Sequence, residues 1–204
     1  MKNGILFLIL MMSLDLFAAD ESAANRQDKK YLVAAQLLGY GPAASDLKGL
    51  HLGYYVDPNT IFQMELTMGS NPLIWGSSGY TILSYVAGAH LKLFTGNSFY
   101  LKLGLDYRRI DYRYEDPVLG SSYEKIDFVG SSLGAAFTIG NQWQWSFYTF
   151  GVDWIGLSGP FVSQVNSSST TGTQQNVRRR DKDEDRYLKE NVIILSRIYV
   201  GACF

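Results

Sequence analysis

The 204-residue chain has one cysteine, five prolines and two histidines, and each scarcity closes a class of explanation. Cys203 has no partner for an internal disulfide, so a disulfide-stapled secreted scaffold is excluded. Its plain reading is a small residue in a sheet. Eighteen Lys and Arg against nineteen Asp and Glu leave a formal net charge of -1, which lacks the basic footprint of a nucleic-acid-binding protein. After the first stretch, no apolar run approaches the ~20 residues of a transmembrane helix. No segment keeps a 3.6-residue period for more than a turn or two. A Gly-rich phosphate loop, a metal-ligand cluster and EF-hand spacing are all missing. No catalytic residue, metal or cofactor is assigned.

What the chain has instead is 20 Gly, 14 Tyr, 11 Phe and 4 Trp, a composition suited to many closely packed strands. It opens MKNGILFLILMMSLDLFAAD, with Lys2 before an apolar run and small residues at Ala18 and Ala19. Residues 1–19 are read as a signal peptide, with the cut between 18 and 24, and the protein as exported. A short periplasmic segment, 20–30, follows.

Period-2 alternation then recurs in eight segments: 31–40, 48–56, 60–69, 80–94, 99–114, 125–139, 143–156 and 188–204. DPNT (57–60), TGNS (95–98) and GNQ (140–142) read as tight turns. Longer links lie between them at 41–47, 70–79, 115–124 and 157–187. Short turns at one end and long links at the other describe an all-β, eight-stranded, antiparallel, up-and-down transmembrane β-barrel over 31–204. The seventh segment, QWQWSFYTFGVDW, is aromatic on both parities, and a bulge near Ser146 would reconcile them.

The faces decide which side is inside. Phe62, Met64, Leu66 and Met68 share one face in the third segment, and Leu101, Leu103, Leu105 and Tyr107 one in the fifth. The opposite faces are thin, with Gly, Ser, Thr and isolated charges. That suits apolar residues toward lipid and a small polar interior. A soluble, lipocalin-like carrier would need the reverse. Aromatics are expected in two belts: Phe62, Phe94, Phe99, Trp143 and Phe204 near the short turns, and Tyr80, Tyr107, Tyr112 and Trp154 near the long links.

The last strand, LSRIYVGACF, ends on Phe204 with Ala202, Val200, Ile198 and, beyond Ser196, Ile194 at alternate positions. With the alternation before it, this chain resembles the small bacterial outer-membrane β-barrels of the OmpA/OmpX-like group, from about residue 30 to the end. Ala202 stands where that group often has a bulky aromatic. The resemblance implies the cell outer membrane of a Gram-negative bacterium, with Ile198, Val200, Ala202 and Phe204 as the signal read by the barrel-assembly machinery. It implies outer-membrane lipid and lipopolysaccharide as surroundings, no nucleic acid, and a monomeric barrel.

Inward parity falls on Glu65, His90, Lys92, Lys102, Asp106, Arg108 and Arg197. An eight-stranded barrel holds little more than its own side chains, so these are expected to form a polar network. His51 is also inward. Neither HLG nor HLKL has a Ser two residues after its His, as the deacylase type of barrel would. In 157–187 a Ser/Thr/Gln tract precedes Arg178, Arg179 and Arg180, followed at once by Asp181, Asp183, Glu184 and Asp185. This stretch reads as a mobile polar link whose arginines either attract lipopolysaccharide or neutralise locally. The expected function is a non-enzymatic structural or surface-interaction protein whose extracellular loops carry any binding. The alternatives are a lipid A acyl hydrolase or transferase, and the soluble carrier.

Overall fold

The computed structural model describes residues 22–40, 47–70, 80–117, 123–171 and 174–204. The signal peptide, its cleavage and the links 41–46, 71–79 and 118–122 lie outside the described residues. Eight strands run in order: β1 (Tyr31–Tyr40), β2 (Lys48–Asp57), β3 (Thr60–Ser70), β4 (Tyr80–Phe94), β5 (Phe99–Pro117), β6 (Tyr123–Trp145), β7 (Tyr148–Thr171) and β8 (Val192–Cys203). A helix, α1 (Gln174–Leu188), precedes β8. Each strand pairs antiparallel with its neighbour, and β8 returns to β1 through Val200 opposite Ala35 and Cys203 opposite Leu32. The barrel is closed, so no strand edge is left unpaired in lipid.

Alternation places the faces as the sequence predicts over β3 to β6. Met64, Leu66, Leu103, Leu105 and Phe137 are exposed, whereas Glu65, His90, Lys92, Lys102 and Thr138 are buried. The outward face of β5 carries Phe99, Leu101, Leu103, Leu105 and Tyr107, then Arg109, Asp111 and Arg113. The lipid band therefore ends after Tyr107, close to the ~9–11 residues that a tilted strand needs to cross. Above it β5, β6 and β7 continue as a wall, while β1, β2 and β3 are only 10, 10 and 11 residues long.

The turns depart from the sequence reading at one place. Asp57 accepts a hydrogen bond from Asn59 N at 2.7 Å, as the DPNT turn requires. GNQ, however, is not a turn. β6 runs through it to Trp145, and the chain reverses at Ser146–Phe147, with Trp145 opposite Tyr148. Ser146 has a left-handed φ of 51°, suited to a two-residue hairpin. The expected seventh strand, 143–156, thus spans a reversal, which is why both parities looked aromatic. The register shift nearest the turn lies instead where Gly140 faces Asp153 and Ile139 faces Ile155, leaving Trp154 as the extra residue. Opposite it in β8, Ser196 takes a φ of 47° and the alternation changes phase. Ile198, Val200 and Phe204 stay on the outward face, but Ile194 turns inward and is 1% exposed.

The segment 157–187 is no structureless link. β7 continues to Thr171, and 174–188 is helical. The first turn of α1 has no acidic residue to complement the helix dipole, whereas Arg186 in the last turn does complement it. Pairs Arg180–Glu184 at 3.5 Å and Asp185–Lys189 at 2.6 Å help locally. Docking does the rest: Leu188 enters an apolar cluster with Ile82, Ile110, Tyr112, Tyr114, Ile126 and Phe128. Gly130 leaves room for Leu188, since a Cβ there would overlap its side chain. Tyr112 donates to Asp183 at 2.9 Å, and the Arg179 guanidinium lies 4.1 Å from the Tyr114 ring centre.

The aromatic belts need correction. Phe94, Trp143 and Tyr112 are buried at 7%, 4% and 5%, facing inward. Trp154 donates to Asn141 at 2.8 Å, at the short-turn level rather than the opposite one. The side chain of Tyr80 lies outside the described residues. The belt at the short-turn end consists of exposed Tyr31, Tyr54, Phe62, Phe99, Trp145, Phe147, Tyr148 and Phe204.

Candidate functional site in the barrel lumen

At the centre, Glu65 from β3 and Asp153 from β7 are bridged twice. Lys102 donates to Glu65 at 2.5 Å and to Asp153 at 2.8 Å. Arg197 donates to Glu65 at 3.0 Å and to Asp153 at 2.5 Å. Four charges from four strands thus neutralise one another, and Tyr100 adds a hydroxyl donor to Asp153. Burial of this kind is tolerable only because every charge meets an opposite one.

Around this square lie further polar partners, some neutral and some charged. Gln63 donates to Glu65 at 2.8 Å and sits 3.2 Å from His51 Nδ1, while His51 Nε2 is 3.1 Å from Gln36 Oε1. That geometry fits the tautomer with the proton on Nε2. His90 Nε2 lies 2.9 Å from Asp106. Lys92 donates to Gln142 at 3.0 Å and Tyr199 at 2.9 Å, with its ammonium 4.4 Å from the Tyr100 ring centre. Gly151 makes this possible, because a Cβ there would overlap the Tyr199 ring. Arg108 is the highest member, donating from Nε to Ser132 at 3.0 Å. Its Nη1 has no hydrogen-bond partner among the described residues.

All seven lumen residues expected from the sequence are buried here. Asp153 was missed because it follows the misplaced turn on a strand whose parity could not be read. Arg26 was missed for a different reason: a lone arginine in ESAANRQDKK carries no periodic signal. It is 0% exposed and reaches two turns at the short-turn end of the barrel. Its Nε donates to Pro58 O at 2.8 Å, its Nη1 to Asn97 O at 2.5 Å and its Nη2 to Gly96 O at 3.5 Å. The guanidinium stacks 3.8 Å over Phe94. Burial lowers its pKa from the ordinary guanidinium range. Ser22 accepts from Gln144 N at 3.1 Å, and Asn25 donates to Gln144 O at 3.0 Å. The helical turn at 22–26 therefore stops the lower mouth. At the upper mouth, α1 covers the apolar cluster.

Compared by sequence, the chain matches no family model and no curated protein. Compared by structure, it is similar to a major outer membrane protein of Thermus thermophilus, with a TM-score of 0.58 and 10% identity over 87% of this chain and 100% of that one. It is also similar to CarO of Acinetobacter baumannii, with a TM-score of 0.50 and 14% identity over 87% and 99% of the two chains. The fold is that of a small outer-membrane β-barrel. The barrel's exposed apolar band and charged interior agree with that fold. They are the inverse of a soluble ligand carrier, whose interior would be apolar. The fold is that of a membrane-spanning barrel of the outer-membrane type, with short turns at one end and the β5–β7 wall at the other.

Proposed function

We propose that this protein serves as a closed, non-enzymatic barrel that anchors a surface structure, the β5–β7 wall with its docked helix, to the outer membrane. The observation that carries this reading is closure at three levels: Arg26 and its segment below, the Glu65–Lys102–Asp153–Arg197 square in the middle, and Leu188 in its cluster above. A conducting pore needs a continuous polar path, and here the polar side chains are spent on one another. The test is single-channel recording of the purified full chain in planar bilayers. No stable ohmic conductance is expected, and a reproducible open channel would overturn the reading.

The enzymatic alternative would need a histidine and a nucleophile reaching the lipid. His51 and His90 are 0% and 3% exposed and face the lumen, which favours the structural role. Mass spectrometry of lipid A with and without expression is expected to give the same acyl pattern. By resemblance, outward Ile198, Val200, Ala202 and Phe204 would serve as the signal for the barrel-assembly machinery, with the protein working as a monomer.

A further inference from the structure

The outer wall is graded in chemistry across β2 to β7, and the register shows it row by row. Leu52, Met64, Ala89 and Leu105 form one lateral row, and Leu50, Leu66, Ala87 and Tyr107 the next. Ala87 and Ala89 are small where their neighbours are large, so the wall is hollowed along β4. The row above is Lys48, Met68, Tyr85 and Arg109. The upper two of these rows line a groove of about 480 Å³ whose lower walls are apolar and whose upper corners are cationic. Lys48 and Arg109 stand three strands apart, ~14 Å at the usual strand spacing. Arg109 Nε donates to Asp111 at 3.0 Å, which uses one of the five N–H donors of the guanidinium.

Higher still the character changes again. Leu83, Asp111, Val129 and Ser167 form one row, and Thr81, Arg113, Asp127 and Ser169 the row above it. They line a second depression of about 410 Å³ rich in hydroxyls, carboxylates and guanidinium. An Arg113–Asp127 pair at 3.2 Å braces it. From the membrane outward, one continuous face thus offers an alkyl groove, a cationic rim and a hydrogen-bonding bay.

We propose that this face binds a phosphorylated, acylated saccharide of the outer leaflet. An acyl chain lies over Ala87 and runs down past Ala89 below the groove, a phosphate sits between Lys48 and Arg109, and the sugars reach Asp111, Arg113, Asp127 and Ser167. The order of the three chemistries is what selects this occupant. A free phosphate would use only the rim. A two-chain phospholipid would use the groove and rim and leave the bay empty. A protein partner would have to enter the lipid band to fill the groove. The proposal goes beyond the closed-barrel reading and does not depend on it, because the lumen takes no part.

The test is native mass spectrometry of the detergent-purified full chain titrated with a bis-phosphorylated lipid A or with phosphatidylglycerol. The wild-type barrel is expected to retain lipid A in preference. The double variant Lys48→Ala, Arg109→Ala is expected to weaken retention roughly thirtyfold, the combined attraction of two cations near an anionic headgroup. Ala87→Leu fills the groove without disturbing the fold and is expected to weaken retention as well. Arg178→Ala, on the exposed face of α1, serves as the control and is expected to change nothing. Heat-modifiable gel migration verifies that each variant is folded. Equal retention by the double variant, or equal preference for phosphatidylglycerol, would overturn the proposal. Single-channel recordings of the same samples report separately on closure.

Discussion

From Arg108 down, the strands turn inward four cations and three carboxylates, Lys92, Lys102, Arg108 and Arg197 with Glu65, Asp106 and Asp153, among the described residues. Above it the same strands turn inward Ile82, Ile110, Tyr112, Tyr114, Ile126 and Phe128. Both regions are close-packed, yet they are held by different physics. The lower one consists of charges that cannot be left alone, so the loss of one member strands others in a medium that solvates them poorly. The upper one consists of apolar contacts that degrade gradually and hold a helix rather than the sheet. The difference separates a part that keeps the barrel together from a part that the barrel carries.

The largest effect is expected at Asp153. Asp153→Ala leaves Lys102 and Arg197 with Glu65 as their shared carboxylate and should cost ~3–5 kcal/mol, read as a lower urea midpoint of the micelle-folded protein. An unchanged midpoint would mean the square is not an energetic unit. Next comes the outer wall: Leu103→Arg, in the lipid band, should cost ~2–4 kcal/mol in the same measurement. Smaller and local, Leu188→Ala should weaken docking of α1 by ~2–3 kcal/mol, the low end for a buried leucine. It should show as faster tryptic cutting at Arg178 and Lys182 with heat-modifiable migration unchanged. A loss of global stability as large as that of Asp153→Ala would make the two interiors one cooperative unit. Asn166→Arg, on the exposed extension of β7, should stay within ~0.5 kcal/mol of wild type. If it were worse than Leu103→Arg, the inside-outside assignment would be inverted.

Period-2 alternation is local, so β3 to β6 could be read correctly from the sequence, and with them six lumen residues from Glu65 to Arg108; Arg197 was read likewise from the last strand. GNQ misled because its polar side chains resemble turn chemistry. They are spent elsewhere: Asn141 donates to Ser98 at 2.9 Å and Gln142 accepts from Lys92. Such partners, 43 and 50 residues away in the chain, leave no local mark. Helix α1 was hidden for the same reason. Val177, Tyr187 and Leu188 are too few apolar residues for a periodic stripe, and contacts with β5 to β7 hold it. The inward aromatics Phe94, Trp143 and Tyr112 show that a ring near a strand end can serve as a stopper as readily as a belt. The left-handed Ser196 reversed the phase of β8 above it without any glycine to announce it.

The bonds of Arg26 also impose an order of events. Its three acceptors belong to the β2–β3 and β4–β5 turns, and its neighbours Ser22 and Asn25 reach Gln144 beside the β6–β7 turn. None of these groups is in place until the corresponding hairpins stand side by side. The first residues of the folded chain therefore dock among the last. The lower seal is complete only once those three hairpins stand side by side, and a barrel with one of them missing is left open at its base.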